Sequence, residues 1–255
     1  MQLTKDTTSY GSSCSSNTSE NSVIRFQLIG SQLCPFAQRA LITLIYKKAS
    51  FDCRFINLSS PPNWFLALSP RKKVPVLLVD DDHIIFESAV INELIDDMLP
   101  NKLMPLEPIK KARCRSWIEF SSACFFDVLS LTTVKTVEEF SDVRQNLLTK
   151  LEEIENVLGE TTYFHSMELS LVDIAFAPLF IRLNAIEVYT PIYDNEAHPQ
   201  LSRWRDNLIK NSSVVQSLPN NFETLYEDMI WRRQGYLSEC ISSEDKPDIV
   251  KASRY

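Results

Sequence analysis

What this chain lacks narrows its chemistry first. Only three histidines, His83, His165 and His198, occur in 255 residues. They are scattered, with no HExxH or comparable spacing, so a zinc site or a histidine-based triad has little support. The six cysteines, at 14, 34, 53, 114, 124 and 240, form no CxxC pair and no metal-ligand spacing. That pattern fits a reducing cytoplasm, and no metal is expected. No apolar run approaches the roughly 18 residues needed to span a bilayer. The longest candidate, residues 40–46, is bounded by Arg39 and Lys47, so no membrane partner is expected. Residues 1–22 have no apolar core of the kind a secretory signal needs. A net charge of -7 repels phosphate backbones and argues against nucleic acid. The local basic run Arg71-Lys72-Lys73 reads as a solvated edge.

What is present is enough apolar material, 44% of the chain, for one large core or two moderate ones. The first 22 residues are rich in Ser and Thr and are expected to form a disordered tail. Tyr10 and Ser12 fall inside it, which weakens their claim as catalytic hydroxyls. Residues 241–255 are expected to be a second flexible tail.

The informative stretch is Leu33-Cys34-Pro35-Phe36-Ala37-Gln38-Arg39. Before it, Ile24, Phe26 and Leu28 alternate with Arg25 and Gln27, a half-buried strand broken by Gly30-Ser31. After it, residues 37–48 read as a helix. Pro35 suits the first helical position, where its missing N–H has no partner to lose, and Cys34 then caps the helix. Free backbone N–H groups and the positive end of the helix dipole favour a thiolate there, so its pKa is expected to fall from about 8.5 toward neutrality or below. A free cysteine is more often buried and inert. The strand before Cys34, its cap position and the proline after it argue for reactivity.

Phe51, Cys53 and Phe55 alternate as a second strand, joined to the first through the helix, so the two should be parallel. Cys53 should face a core. A short helix over Asn63-Trp64-Phe65-Leu66 ends at Ser69-Pro70. Val74-Pro75-Val76-Leu77-Leu78-Val79 has the content of a buried strand, but Pro75 removes a ladder donor. Backbone beside it is therefore available to an extended peptide, and the Val74–Pro75 bond is a candidate for cis. Asp80-Asp81-Asp82 turns the chain into a returning strand from His83 to Phe86. Glu87-Ser88 follows, with Ser88 read as the cap of a helix carrying Ile91, Leu94, Ile95 and Met98. A helix N-terminus beside a carboxylate suits a ligand with both a carboxylate and an ammonium; a plain cap beside a surface Glu is the bland alternative.

Residues 101–108, with Pro105 and Pro108, read as a linker, and helices follow to residue 240. One runs over residues 110–134. Thr136 with Glu139 forms a capping box, ahead of an apolar stripe from Phe140 to Leu158 that ends at Gly159. Ser170-Leu171-Val172-Asp173 is a second box, flanked by Leu169 and Ile174 as a hydrophobic staple. Asp173 is thus structural rather than catalytic. Pro178 should kink that helix.

The order of these elements resembles the cytosolic glutathione transferases, and among them the cysteine-type, omega-like class, in which Cys-Pro-Phe-Ala, Val-Pro-Val-Leu and Glu-Ser occur in this sequence. The resemblance spans about residues 23–240. It implies an α/β thioredoxin-like N-terminal domain that binds glutathione, residues 23–100, and an all-α C-terminal domain, residues 108–240. Glutathione would be the co-substrate, a small electrophilic or disulfide compound the acceptor, and a homodimer the assembly. Cys34 would be catalytic through a mixed disulfide with glutathione, as in thioltransferases and dehydroascorbate reductases. Ala37 stands where a dithiol protein has its second cysteine, so the mechanism would use one thiol. Val74 would pair with the tripeptide backbone, and Glu87 and Ser88 would hold its γ-glutamyl end. The Phe36 backbone would border its sulfur, and Lys73 would reach the glycine carboxylate. Omega members carry a lysine where this chain reads Ser60-Pro61-Pro62, which removes one expected glycine-end contact. The acceptor would meet Phe36, the helix around Phe120 and Cys124, and the segment near Trp231. Two alternatives share the fold: a conjugating transferase or peroxidase that uses Ser31, and a non-enzymatic protein like the chloride intracellular channels. Against the second, Lys47 and Lys48 cut the first helix short and Glu87-Ser88 is retained.

Overall fold

A twelve-residue helix between two short strands sets the frame of the N-terminal half. The computed structural model describes residues 8–10, 24–69 and 71–241. Its elements are β1 (Thr8–Tyr10), β2 (Phe26–Gly30), α1 (Pro35–Tyr46), β3 (Phe51–Phe55), α2 (Asn63–Leu68), β4 (Val76–Val79), β5 (His83–Phe86) and α3 (Ser88–Met98). After them come α4 (Pro108–Leu131), α5 (Val137–Val157), α6 (Leu171–Glu187), α7 (Pro199–Lys210), α8 (Ser212–Gln216), α9 (Phe222–Arg233) and α10 (Tyr236–Cys240). The chain divides into two compact units, the first ending at Pro105 and taking in residues 216–218, the second beginning at Leu106 and resuming at Pro219. The first is thioredoxin-like, the second all-helical.

The sheet order is β1-β3-β2-β4-β5. β2 and β3 run parallel, Phe26 opposite Phe51 and Gly30 opposite Phe55, with α1 as the crossover. β4 lies antiparallel to β2, and β5 returns as its hairpin partner. β2 is central, which corrects the half-buried reading of its alternation: both faces are covered. Phe26 and Leu28 join Ala40, Leu41 and Leu44 of α1 and Ile91 and Ile95 of α3. Ile29 points the other way, to Phe65, Val76 and Leu78. Each of these Leu, Ile, Val and Phe side chains contributes about 1.5–3 kcal/mol by leaving water.

One expectation about the N-terminus is overturned. Thr8–Tyr10, inside the stretch read as a tail, pairs antiparallel with β3, Thr8 opposite Cys53 and Tyr10 opposite Phe51. Thr and Tyr favour extended backbone, and the outer edge of β3 offers unpaired peptide groups. The other residues of the expected N-terminal tail, 1–7 and 11–22, and those of the C-terminal one from Ser242 onward lie outside the described residues.

The end of α1 is fastened by a buried ion pair. Lys47 Nζ lies 2.6 Å from Asp96 Oδ1, with the two side chains 2% and 3% exposed. The same ammonium donates to the carbonyls of Pro100 (2.8 Å) and Asn101 (2.6 Å). The Asp96 carboxylate in turn accepts the N–H groups of Leu103 (2.7 Å) and Met104 (3.1 Å). Lys47 therefore ties α1, the end of α3 and the segment after it into one piece. The following residue, Lys48, has φ 51°. Its N–H donates to Ile45 O and that of Ala49 to Leu44 O, each at 3.0 Å, the paired bonds of a Schellman ending in which glycine is the usual residue.

In the second unit, α4 begins at Pro108, within the expected linker, because Glu107 caps it. The Glu107 carboxylate accepts from Ile109 N (2.8 Å) and Lys110 N (2.9 Å), and these two bonds hold it below the usual carboxylate range. Both capping boxes form, Thr136 with Glu139 and Ser170 with Asp173. α5 ends at Leu158 in extended backbone rather than at Gly159. α6 runs through Pro178 and is buried along most of its length. Against it, Trp204 packs on Phe176 and Phe180, ring centroids 5.0 and 5.3 Å away, and its indole N–H donates to Asp173 Oδ1 (2.7 Å).

Candidate functional site

Strand register brings the expected site residues of the first unit to one end of the sheet. Ile29 of β2 lies opposite Val76 of β4, and Val76 opposite Phe86 of β5. Three loops therefore leave the same row: forward from Gly30 to Cys34, backward from Val76 to Val74 and Lys73, and forward from Phe86 to Glu87 and Ser88. The loop after β3 joins them, since Ile56 N donates to Gly30 O (2.9 Å).

Cys34 occupies the N-cap of α1 with extended backbone, φ -75° and ψ 116°, and Pro35 follows at the first helical position. Its N–H donates to Ser31 O (2.9 Å), and its carbonyl accepts from Gln38 N (3.0 Å), the first helical bond. Gly30 permits this close approach: a Cβ there would stand 3.0 Å from Ala37 Cβ. The half-buried thiol donates to the Val74 carbonyl at 3.8 Å. Val74 precedes Pro75 across a cis peptide bond, as the sequence suggested. The positive end of the α1 dipole lies at this cap and favours the thiolate over the thiol.

Three other described thiols are less acidic than an ordinary cysteine. Burial pushes Cys53 and Cys124 up to about 12, and burial, then the Asp173 carboxylate, raises Cys114. Cys124, expected near the acceptor, is fully buried.

Phe36 is half-buried, and the guanidinium of the buried Arg39 lies 4.9 Å from its ring centroid. Lys73 is exposed on a loop closed on itself. Ser69 Oγ donates to Lys73 O (2.9 Å) and accepts from Lys73 N (3.2 Å), and Lys72 N donates to Ser69 O (2.9 Å). Glu87, not Ser88, takes the cap position of α3, with φ 68° and ψ 118°. Its carbonyl accepts the first helical bond, from Ile91 N at 2.9 Å, which leaves Ser88 as the first helical residue, buried at 6% exposure. A non-glycine residue held at such angles costs on the order of 1–3 kcal/mol, and conformations of this kind gather at functional sites. The Glu87 carboxylate is exposed and stands 3.9 Å from Arg71 Nη1. Sequence reading missed that pairing, because sixteen residues separate the partners and no pattern links them; only the run of three basic residues before Val-Pro signals it. Among the described residues no group of His, Cys, Asp or Glu could hold a metal ion, and no helix is long and apolar enough to cross a membrane.

A thioredoxin-like unit with a cysteine-capped helix and a Val-cis-Pro strand, followed by an all-helical unit, is the architecture of glutathione transferases. Residues 33–98 match the family described as "Glutathione S-transferase, N-terminal domain" and residues 136–207 that described as "Glutathione S-transferase, C-terminal domain". The chain belongs to the glutathione S-transferase family, and within it is omega-like. It is 32% identical to pig (Sus scrofa) glutathione S-transferase omega-1 over 186 residues, covering 72% of this chain and 76% of that protein. In fold it is similar to glutathione transferase Omega 3C from Trametes versicolor, with a TM-score of 0.70 and 22% identity over 76% of this chain and 89% of that one. It is likewise similar to a rice transferase solved in complex with glutathione, with a TM-score of 0.73 and 24% identity over 83% and 97%.

Proposed function

We propose that this chain is a glutathione-dependent thioltransferase of the dehydroascorbate-reductase type, with Cys34 as its catalytic nucleophile. The observation that carries the reading is the position of Cys34 on the cap of α1, its sulfur 3.8 Å from the Val74 carbonyl, at the sheet end where Glu87 and Ser88 also lie. The rice relative's complex with glutathione supports glutathione as the ligand.

In this mechanism the Cys34 thiolate attacks the glutathionyl sulfur of a mixed disulfide. A Cys34–glutathione bond forms, and the acceptor thiolate leaves and takes a proton. A second glutathione thiolate then attacks the same glutathionyl sulfur, releasing oxidised glutathione and the Cys34 thiolate. Electrons balance: one substrate disulfide is reduced and two glutathiones become one disulfide. Val74 would pair with the tripeptide backbone, Phe36 N–H would border its sulfur, and Glu87 and Ser88 would hold the γ-glutamyl end. Lys73, free at its side chain end of an anchored loop, would meet the glycine carboxylate. A small electrophilic or disulfide acceptor, a homodimeric assembly and a cytoplasmic setting complete the proposal.

Ser31 is a weaker candidate for a conjugating enzyme, since it lies in the turn before the cap rather than at it. Insertion of α1 into a membrane, as in a channel-like relative, would require the buried Lys47–Asp96 pair to part. Liposome sedimentation at acidic and neutral pH tests this, and the protein is expected in the supernatant at both. Mass spectrometry after exposure to oxidised glutathione tests the main reading. One adduct on Cys34 is expected; modification of another cysteine first, or of none, overturns it.

A further inference from the structure

Arg71, read from the sequence as part of a solvated edge, is exposed there and faces the Glu87 carboxylate. Nη1 lies 3.9 Å from Glu87 Oε1, both side chains being largely exposed. A pair this open is held weakly and exchanges partners readily. The backbone on either side is far more constrained. Lys72 has φ 55° and Glu87 φ 68°, Ser69 binds the backbone of Lys72 and Lys73, and Ser88, next to Glu87, is buried. A cation and an anion thus project side by side from anchored supports.

Such a couple complements a ligand end that carries an ammonium and a carboxylate on one carbon, which is an α-amino acid. We propose that Arg71 binds the α-carboxylate of the γ-glutamyl end of glutathione while Glu87 takes its ammonium, the two side chains exchanging each other for the ligand. The inference rests on the glutathione reading above. In the free protein Arg71 and Glu87 neutralise each other. In the complex each meets an opposite charge of the ligand, and neither is left unpaired. The couple is then a filter for zwitterionic ends: a peptide without the α-carboxylate gains nothing from Arg71.

The test compares two probes that cannot exchange disulfides, S-methylglutathione and S-methyl-γ-aminobutyryl-cysteinylglycine, which lacks the α-carboxylate, by calorimetric titration of the full chain. Wild type is expected to bind the first more tightly. Arg71→Met should weaken S-methylglutathione about three- to fivefold, the upper part of the range for one exposed charge pair, and leave the second probe unchanged. Glu87→Gln should weaken both, since both keep the ammonium. If Arg71→Met weakens the two probes equally, or neither, the assignment is wrong while the glutathione site stands, because wild type still binds. Wild type binding neither probe overturns the glutathione reading, and the role of Arg71 falls with it. Arg71 is exposed, so the variant should melt with wild type.

Discussion

Cys34 differs from the other described cysteines in what surrounds its sulfur. It caps a helix, half-exposed, where Cys53 and Cys124 are buried and pushed up to about 12. Brief alkylation at neutral pH should therefore label Cys34 first; earlier labelling elsewhere contradicts the cap argument. Cys34→Ser should abolish disulfide exchange, because an alkoxide is inaccessible at neutral pH while a capped thiolate is not. Glutathione affinity should survive, since Val74, Glu87 and Ser88 do not depend on the sulfur. Loss of binding in that variant, or retention of full exchange, would refute the division of roles. Lys48 supports a separate prediction. It holds the left-handed position of the Schellman ending at φ 51°, which glycine adopts without the Cβ penalty, so Lys48→Gly should stabilise the fold by about 1 kcal/mol, read as a higher urea midpoint.

The ends of helices carry much of what was hard to read. Capping boxes at Thr136 and Ser170 follow from residues three apart and were legible. The Lys47–Asp96 pair was not, because nothing in a sequence tells which of many lysines meets which aspartate across 49 residues. Lys47→Met leaves the Asp96 carboxylate buried at 3% exposure without its cation, and should cost about 3–5 kcal/mol in urea unfolding. A cost near zero would show that the linker backbone alone holds the element ends. Asp173 at the start of α6 adds a pH dependence. Burial raises its carboxyl above the ordinary aspartate value, against bonds from Ser170, Phe164 N and Trp204 that lower it. The folded state thus holds its proton more tightly than the unfolded state. This contribution is fully present below about pH 4, the unfolded value, and is lost as pH rises through the folded one. Relative to Asp173→Asn, wild type should be less favoured at pH 7 than at pH 4; a gap that widens instead would reverse the sign.

At the scale of the molecule, element order was legible because hydrophobic period changes between two and 3.6 where strands meet helices, with Gly30, Pro35 and Pro70 marking some of the breaks. The sheet's central strand was misread as half-covered, since alternation records which residues differ and not how many layers lie above them. Thr8–Tyr10 was missed because three residues are too short to show any period. Of the candidate site, the helix cap at Cys34, the cis bond at Val74-Pro75 and the turn at Glu87-Ser88 were legible because they are local, whereas the approach of Arg71 to Glu87 joins distant loops and was not. A homodimer is the expected assembly, and light scattering at micromolar concentration should give twice the chain mass.

Of the described glycines none has a positive φ, while Lys48, Lys72, Asp80, Asp81, Glu87, Asn101, His165 and Gln234 all do. The chain's corners are therefore spelled in residues that carry a Cβ, and this constrains how the sequence can drift. At these eight positions a saturation library should accept glycine and asparagine and reject valine and isoleucine, whose branched side chains are least compatible with that backbone. Glu87 should break the rule in an activity screen, where asparagine or glycine would keep the turn and lose the charge.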